Sequence, residues 1–162
     1  MWGSMTIHKE EKIWAGIVAA MVVVFLAALA YAAWVIGLQV PGGDVQMVNP
    51  QRALEELKPG VREVAPGKYE VTLIGKMWSW FPNKIVLKDP VEVKFRLTSV
   101  DVIHGFQIVG TNVNVMVFPG YVAEITWRVP PNAKGTYLMI CNEYCGAGHQ
   151  NMYGYVIIER SS

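Results

Sequence analysis

The sequence predicts an all-β domain, an antiparallel sandwich or barrel, carried behind one membrane-spanning helix. Two observations predict it. Hydrophobic residues make up 52% of the 162-residue chain, but they are unevenly spread. Of the 26 residues from Ile13 to Leu38, 24 are apolar and none is charged. Outside that segment the hydrophobic share falls to about 45%, ordinary for a soluble domain. From Tyr69 onward, apolar residues recur at every second position, the period of half-buried strands.

Residues 1–12 read as an N-terminal tail. Residues 13–38 read as a helix of about 39 Å at 1.5 Å per residue, longer than the roughly 30 Å hydrocarbon core. Trp14 at one end, and Tyr31 and Trp34 at the other, suit the two interfaces. A run this long without a charge argues against a buried core helix. No small-residue cleavage site precedes Gln39, which argues against a cleaved signal peptide. Lys9 and Lys12 before the helix nearly balance Arg52 and Lys58 after it, so flanking charge orients it only weakly.

Residues 39–66 read as a connector. Pro41, Gly42 and Gly43 break the helix. Asn49 and Pro50 have the types of an N-cap and a first helical residue, so a short helix runs to Lys58, where Lys58-Pro59-Gly60 ends it. Residues 67–162 hold the strands. Val91, Val93, Phe95 and Leu97 alternate with polar residues, and Val113, Val115 and Val117 alternate with Asn114 and Met116. Tyr121, Ala123, Ile125, Trp127 and Val129 alternate with Val122, Glu124, Thr126 and Arg128. Apolar runs at Glu70–Gly75, Ile103–Val109, Thr136–Ile140 and Tyr153–Ile158 complete the set, punctuated by Gly, Pro and Asn.

The charge balance narrows the function. Net charge is +1, and the chain after the helix carries 12 Lys or Arg against 11 Asp or Glu, with no basic stripe. A nucleic-acid partner therefore has no electrostatic support. Two cysteines, Cys141 and Cys145, are too few for a disulfide scaffold.

The chemistry concentrates in Cys141-Asn142-Glu143-Tyr144-Cys145-Gly146-Ala147-Gly148-His149-Gln150-Asn151-Met152. Two thiols, an imidazole and a thioether fall within twelve residues, and His104 stands upstream in an expected strand. These are the soft and borderline ligands that suit copper, and none is a good calcium or magnesium ligand. Glycines 146, 148 and 154 let the backbone fold tightly around a small object. Taken singly, the cysteines could form a disulfide or hold zinc with a histidine, and the methionine could fill the core. Taken together, the ligand types point to copper.

The pattern Cys141-x3-Cys145-x3-His149-x2-Met152, with Asp101-Val102-Ile103-His104 upstream, resembles the CuA domain of subunit II of heme-copper oxidases. Gly105-Phe106, Gly110-Thr111-Asn112, Pro119-Gly120 and Gly148 to Met152 resemble the B-type (ba-type) branch in particular. The resemblance implies a cupredoxin-like Greek-key barrel and a dinuclear copper centre, CuA, bridged by Cys141 and Cys145. His104 and Met152 would complete one copper. His149 and the backbone carbonyl of Glu143 would complete the other. Quinol-oxidising relatives lack these ligands. In A-type relatives a glutamate at the position of Glu143 helps hold magnesium at the subunit I interface, so the resemblance admits magnesium there.

The same resemblance implies an electron-transfer subunit of a terminal cytochrome c oxidase. It would sit in the cell membrane as a single-pass protein with a cytoplasmic N-terminus and an extracytoplasmic copper domain. Cytochrome c would be the donor, and the heme of subunit I the acceptor. Met77-Trp78-Ser79-Trp80-Phe81 resembles the aromatic segment that takes up electrons, with Trp78 and Trp80 on one face of an extended strand. His149 would be the exit ligand. From its residue type and place, Asp101 is a candidate to orient a ligand or the docking surface, the alternative being a strand-end residue that satisfies local backbone amides. The alternatives are a CuA subunit of a nitric oxide reductase, a membrane-anchored copper carrier, and a metal-free domain with a Cys141–Cys145 disulfide.

Overall fold

The computed structural model describes residues 8–38 and 46–161 and divides the chain into two units, Met1–Leu38 and Gln39–Ser162. The expected helix break at Pro41-Gly42-Gly43 lies outside the described residues.

In the first unit, α1 runs Lys9–Tyr31 and passes into a π-helical turn, Ala32–Ile36, that closes on Gly37 at φ +72°. The helix starts one turn before the apolar run. The His8 backbone N–H donates to the Glu11 carboxylate at 2.8 Å and so satisfies a donor that the helix start would leave free. No residue of α1 or of the turn is buried within the unit, and Lys9–Ile36 is long and apolar enough to cross a membrane.

The second unit opens with a 3-10 turn, Pro50–Arg52, leading into α2, Ala53–Leu57. Asn49 caps it, its side-chain oxygen accepting the Gln51 N–H at 3.0 Å. Among the described residues ten strands follow: β1 Gly60–Ala65, β2 Lys68–Lys76, β3 Ser79–Phe81, β4 Lys84–Lys88, β5 Glu92–Ser99, β6 His104–Ile108, β7 Asn114–Val117, β8 Ala123–Arg128, β9 Gly135–Cys141 and β10 Tyr153–Glu159. They form two five-stranded sheets. One runs β1-β2-β5-β8 with β3 on β2, the other β4-β10-β9-β6-β7.

Most neighbours are antiparallel, as expected, but β2 pairs β5 and β10 pairs β4 in parallel. Alternation tells which face a strand buries. It carries no information on the direction of its neighbour, so these two pairings were not legible. The strand β1 lies inside the segment expected to be connector. Among the described residues it pairs only with β2, and its side chains are nearly all exposed, so it lacks the alternation that marks a half-buried strand.

The inward faces of the two sheets meet in one core that includes Leu73, Phe95, Leu97, Phe106, Ile108 and Met139, all fully buried. A smaller cluster of Val48, Ala53, Leu57, Ile74 and Val122 lies beneath α2. Gly154 shows how tightly β10 is seated. A Cβ there would collide with the Met139 side chain and with the Asn83 backbone carbonyl. We expect Gly154→Ala to destabilise the domain by about 2 kcal/mol, the scale of an overpacked core. Denaturant unfolding of the full chain in detergent, read by the m-value and midpoint, checks this; an unchanged midpoint contradicts it.

Candidate metal centre

Three strand ends assemble the site. β9 ends at Cys141, β6 begins at His104, and β10 begins one residue after Met152. In register, Phe106 faces Cys141 and Tyr153 faces Ile140. The loop of residues 142–152 is cinched at its neck. The Cys141 N–H donates to the Met152 carbonyl at 3.0 Å, and the Asn142 N–H donates to the Gly105 carbonyl at 3.1 Å. Gly105 must be glycine, because a Cβ would run into the Asn142 side chain and lie 2.8 Å from the Glu143 Cγ. Inside the loop, Gly146 takes φ +114°, and a 3-10 turn, His149–Asn151, folds the chain back towards Met152.

This folding brings the soft donors into one cluster, buried but for the half-buried His149. Cys141 Sγ and Cys145 Sγ lie 3.8 Å apart and both are free thiols. His104 Nδ1 lies 3.8 Å from Cys141 Sγ, and His149 Nδ1 lies 3.5 Å from Cys145 Sγ. Met152 Sδ lies 3.7 Å from Cys145 Sγ, and the Glu143 carbonyl oxygen lies 3.2 Å from Cys141 Sγ. The ligating atoms of His104, Cys141 and Cys145 all fall within 4.8 Å of one another. The Glu143 side chain is exposed, and its backbone carbonyl, not its carboxylate, faces the cluster.

The protonation pattern suits metal capture. Burial opposes charge on Cys141, but His104 and the backbone around Gly105 and Glu143 outweigh it and bring that thiol down to about 6. Burial and the neighbouring Cys141 push Cys145 up. One thiolate thus forms readily, and the second proton leaves when a cation replaces it. Burial also opposes charge on His104, but Cys141 and Asp101 outweigh it and raise the imidazole.

Asp101 ties the site together. Its Oδ1 accepts from His104 Nε2 at 2.9 Å and from the Val102 N–H at 2.7 Å, while its Oδ2 accepts the Met77 N–H at 2.7 Å. Burial resists its charge, yet these bonds, led by the one from Met77, keep its carboxyl below the usual range. With Nε2 engaged by a carboxylate, Nδ1 of His104 is the nitrogen turned to the thiol. Ser99 supports the turn, its hydroxyl donating to the Val102 carbonyl at 2.5 Å. The Ser99-Val100-Asp101 sequence carries a signal for this, since Ser and Asp before a turn bond neighbouring backbone groups.

The two tryptophans separate. Trp78 precedes β3, is 42% exposed, and its Nε1–H donates to the Cys145 carbonyl at 3.2 Å. Its indole covers Gly148 so closely that a Cβ there would sit 2.6 Å from Trp78 Cε3. Trp80 lies within β3, is 1% exposed, and packs in the core against His104 and Phe106. The expectation that both indoles share a strand face and an outward role is corrected for Trp80. A turn at Met77-Trp78 interrupts the extended chain, so only Trp80 has the strand's inward orientation.

The donor set fits copper. Calcium and magnesium prefer oxygen ligands, and the thioether of Met152 beside two thiols and two imidazoles favours copper over zinc.

Comparison with known proteins agrees. Residues 71–160 match the family described as cytochrome c oxidase subunit II, periplasmic domain. Cytochrome c oxidase subunit 2 of Thermus thermophilus is 37% identical over 156 residues, covering 92% of this chain and 91% of that protein. Heme-copper oxidase subunit 2 of Aeropyrum pernix is 33% identical over 76 residues, covering 47% of this chain and 32% of that protein. A chain from the cryo-EM structure of a heme-copper terminal oxidase dimer superposes with a TM-score of 0.76 at 28% identity, covering 93% of this chain and 100% of that one. The periplasmic domain of subunit II of cytochrome oxidase from Bradyrhizobium japonicum shares the fold, with a TM-score of 0.50 at 21% identity over 56% of this chain and 83% of that one. With this donor cluster on this cupredoxin-like fold and this likeness along nearly its whole length, the chain belongs to the cytochrome c oxidase subunit II family, the electron-transfer subunit of a heme-copper oxidase complex.

Proposed function

We propose that the site is a dinuclear CuA centre held by His104, Cys141, the Glu143 carbonyl, Cys145, His149 and Met152. The observation that carries this reading is the pair of free thiols 3.8 Å apart, flanked by one imidazole on each. Copper bound there supplies one-electron redox chemistry. The protein's part is to hold the ligands, exclude water and define a path. Cys141 and Cys145 would hold the copper through their thiolates, and the thioether of Met152 would be a weak ligand that tunes more than it holds.

Electrons from cytochrome c pass through Trp78, which is exposed at the surface and hydrogen-bonded to the backbone of Cys145. The half-buried His149 is the exit towards the heme of subunit I, the family's partner. Oxygen is reduced on that partner. In this reading residues 13–38 cross the cell membrane once, residues 39–66 connect, and residues 67–162 carry copper on the periplasmic or extracytoplasmic side, with the N-terminus cytoplasmic. The B-type assignment rests on the motifs around His104 and His149 and accords with the Thermus relative. The magnesium that the resemblance admits at the exposed Glu143 carboxylate is a feature of A-type relatives, and the B-type motifs argue against it.

Stopped-flow oxidation of reduced cytochrome c by the copper-loaded chain in detergent tests the electron path. Trp78→Ala slows the electron uptake while copper content stays at the wild-type level; an unchanged rate contradicts the role of Trp78. Met152→Leu retains copper but shifts the reduction potential, whereas Cys141→Ser or Cys145→Ser abolishes the two-copper centre. A potential unmoved by Met152→Leu, measured by spectroelectrochemistry, removes Met152 from the ligand set. Asp101→Asn takes an ionic acceptor from His104 and weakens copper binding by about 10–100-fold in competitive chelator titration; wild-type affinity contradicts its orienting role.

A further inference from the structure

Trp80 is placed against His104 by a glycine. In the β2–β3 pair, Gly75 stands directly opposite Trp80, and residues so paired project from the same face. Gly75 projects nothing, so the space above it is filled by two rings. A Cβ on Gly75 would lie 3.0 Å from Trp80 Cζ3 and 3.0 Å from His104 Cδ2. The indole and the imidazole meet edge to face, with centroids 5.9 Å apart and planes at 63°. On its far side Trp80 is braced by Phe106, 5.2 Å away at 82°. His104 is fully buried and Trp80 nearly so.

The indole is an odd choice for a core. Among the described residues, Trp80 Nε1 is the buried side-chain donor with no hydrogen-bond partner. Such a donor is costly, and phenylalanine would fill the core without it. The shape of the indole is therefore used for something else. Asp101 fixes which nitrogen of His104 faces the thiol and holds one edge of the ring. It leaves the tilt about that bond free. Trp80, seated over Gly75, packs against the ring and restricts that tilt.

We propose that Trp80 is a positioning residue for His104: with Gly75 it sets the tilt of the imidazole, and through it the reduction potential and copper hyperfine pattern of the centre. The inference rests on His104 being a copper ligand, so one arm of the test is independent of copper.

The test uses the full chain in detergent with Trp80→Phe, Gly75→Ala and a control, Phe95→Leu. Phe95 packs on Phe106 with centroids 5.5 Å apart and shares no ring contact with His104 among the described residues. Without copper, nitrogen NMR of the His104 ring gives one sharp tautomer in the wild type and the control. The two test variants broaden or shift it. With copper, Trp80→Phe and Gly75→Ala shift the potential and the hyperfine pattern, and Phe95→Leu at a comparable loss of thermal stability does not. The proposal is overturned if Trp80→Phe keeps the His104 ring signals and the potential while losing as much stability as the control. It is equally overturned if Phe95→Leu shifts them as far. Should Trp80→Phe not fold, Gly75→Ala carries the same test, and wild-type signals there overturn it. If the wild type took up no copper, the CuA reading would fail, and the copper-free NMR arm would still decide the positioning of His104.

Discussion

Two backbone hydrogen bonds at the neck of the 142–152 loop, Cys141 N–H to the Met152 carbonyl and Asn142 N–H to the Gly105 carbonyl, hold the rest of the site in being. They fasten the loop to the ends of β9 and β6, so that donors far apart in sequence share one small volume. The first extends the β9–β10 pairing to Met152, and the second extends the β6–β9 pairing that makes His104 and Cys141 neighbours. The sheet supplies rigidity that a free loop lacks, since β9 lies between β6 and β10 and is paired on both edges. A redox site needs this, because ligands that hold their places in both oxidation states keep the reorganisation small.

Around that neck the polar and apolar layers divide the work. Asp101 links the Met77 backbone, the His104 ring and the Val102 turn through one carboxylate, so the segment carrying Trp78 and a thiol-facing imidazole are anchored to the same group. Trp78 then reaches the opposite thiol through the Cys145 carbonyl. The outer surface and the cluster are thereby joined by short hydrogen-bonded connections at both cysteines' flanks. Trp78 and Phe81 are both exposed beside this connection, on a chain whose opposite charges nearly balance.

Much of this was legible from residues alone. The apolar run before Leu38 marks α1, and period-two alternation marks β5, β7 and β8 because each buries one face against the core. The spacing of Cys141, Cys145, His149 and Met152, with His104 upstream, marks the donors because a tight glycine-rich loop is the cheapest way to gather them. What stayed hidden depends on partners distant in sequence. β1 is a solvated arm with no buried face, and β3 is three residues long, too short for a period. The split between Trp78 and Trp80 follows from a turn that their spacing does not reveal. The role of Gly75 was hidden too: what lies over it, Trp80 and His104, emerges only when β2, β3 and β6 are together.

The central claim is that the buried cluster holds two coppers sharing one unpaired electron, and electron paramagnetic resonance with a copper-to-protein ratio tests it most directly. On the copper-loaded full chain in detergent, the account predicts two coppers per chain and hyperfine splitting from two equivalent nuclei. A single bound copper with single-nucleus splitting would contradict it and point to a carrier. Absence of copper after full reduction and reloading would contradict it in favour of a Cys141–Cys145 disulfide.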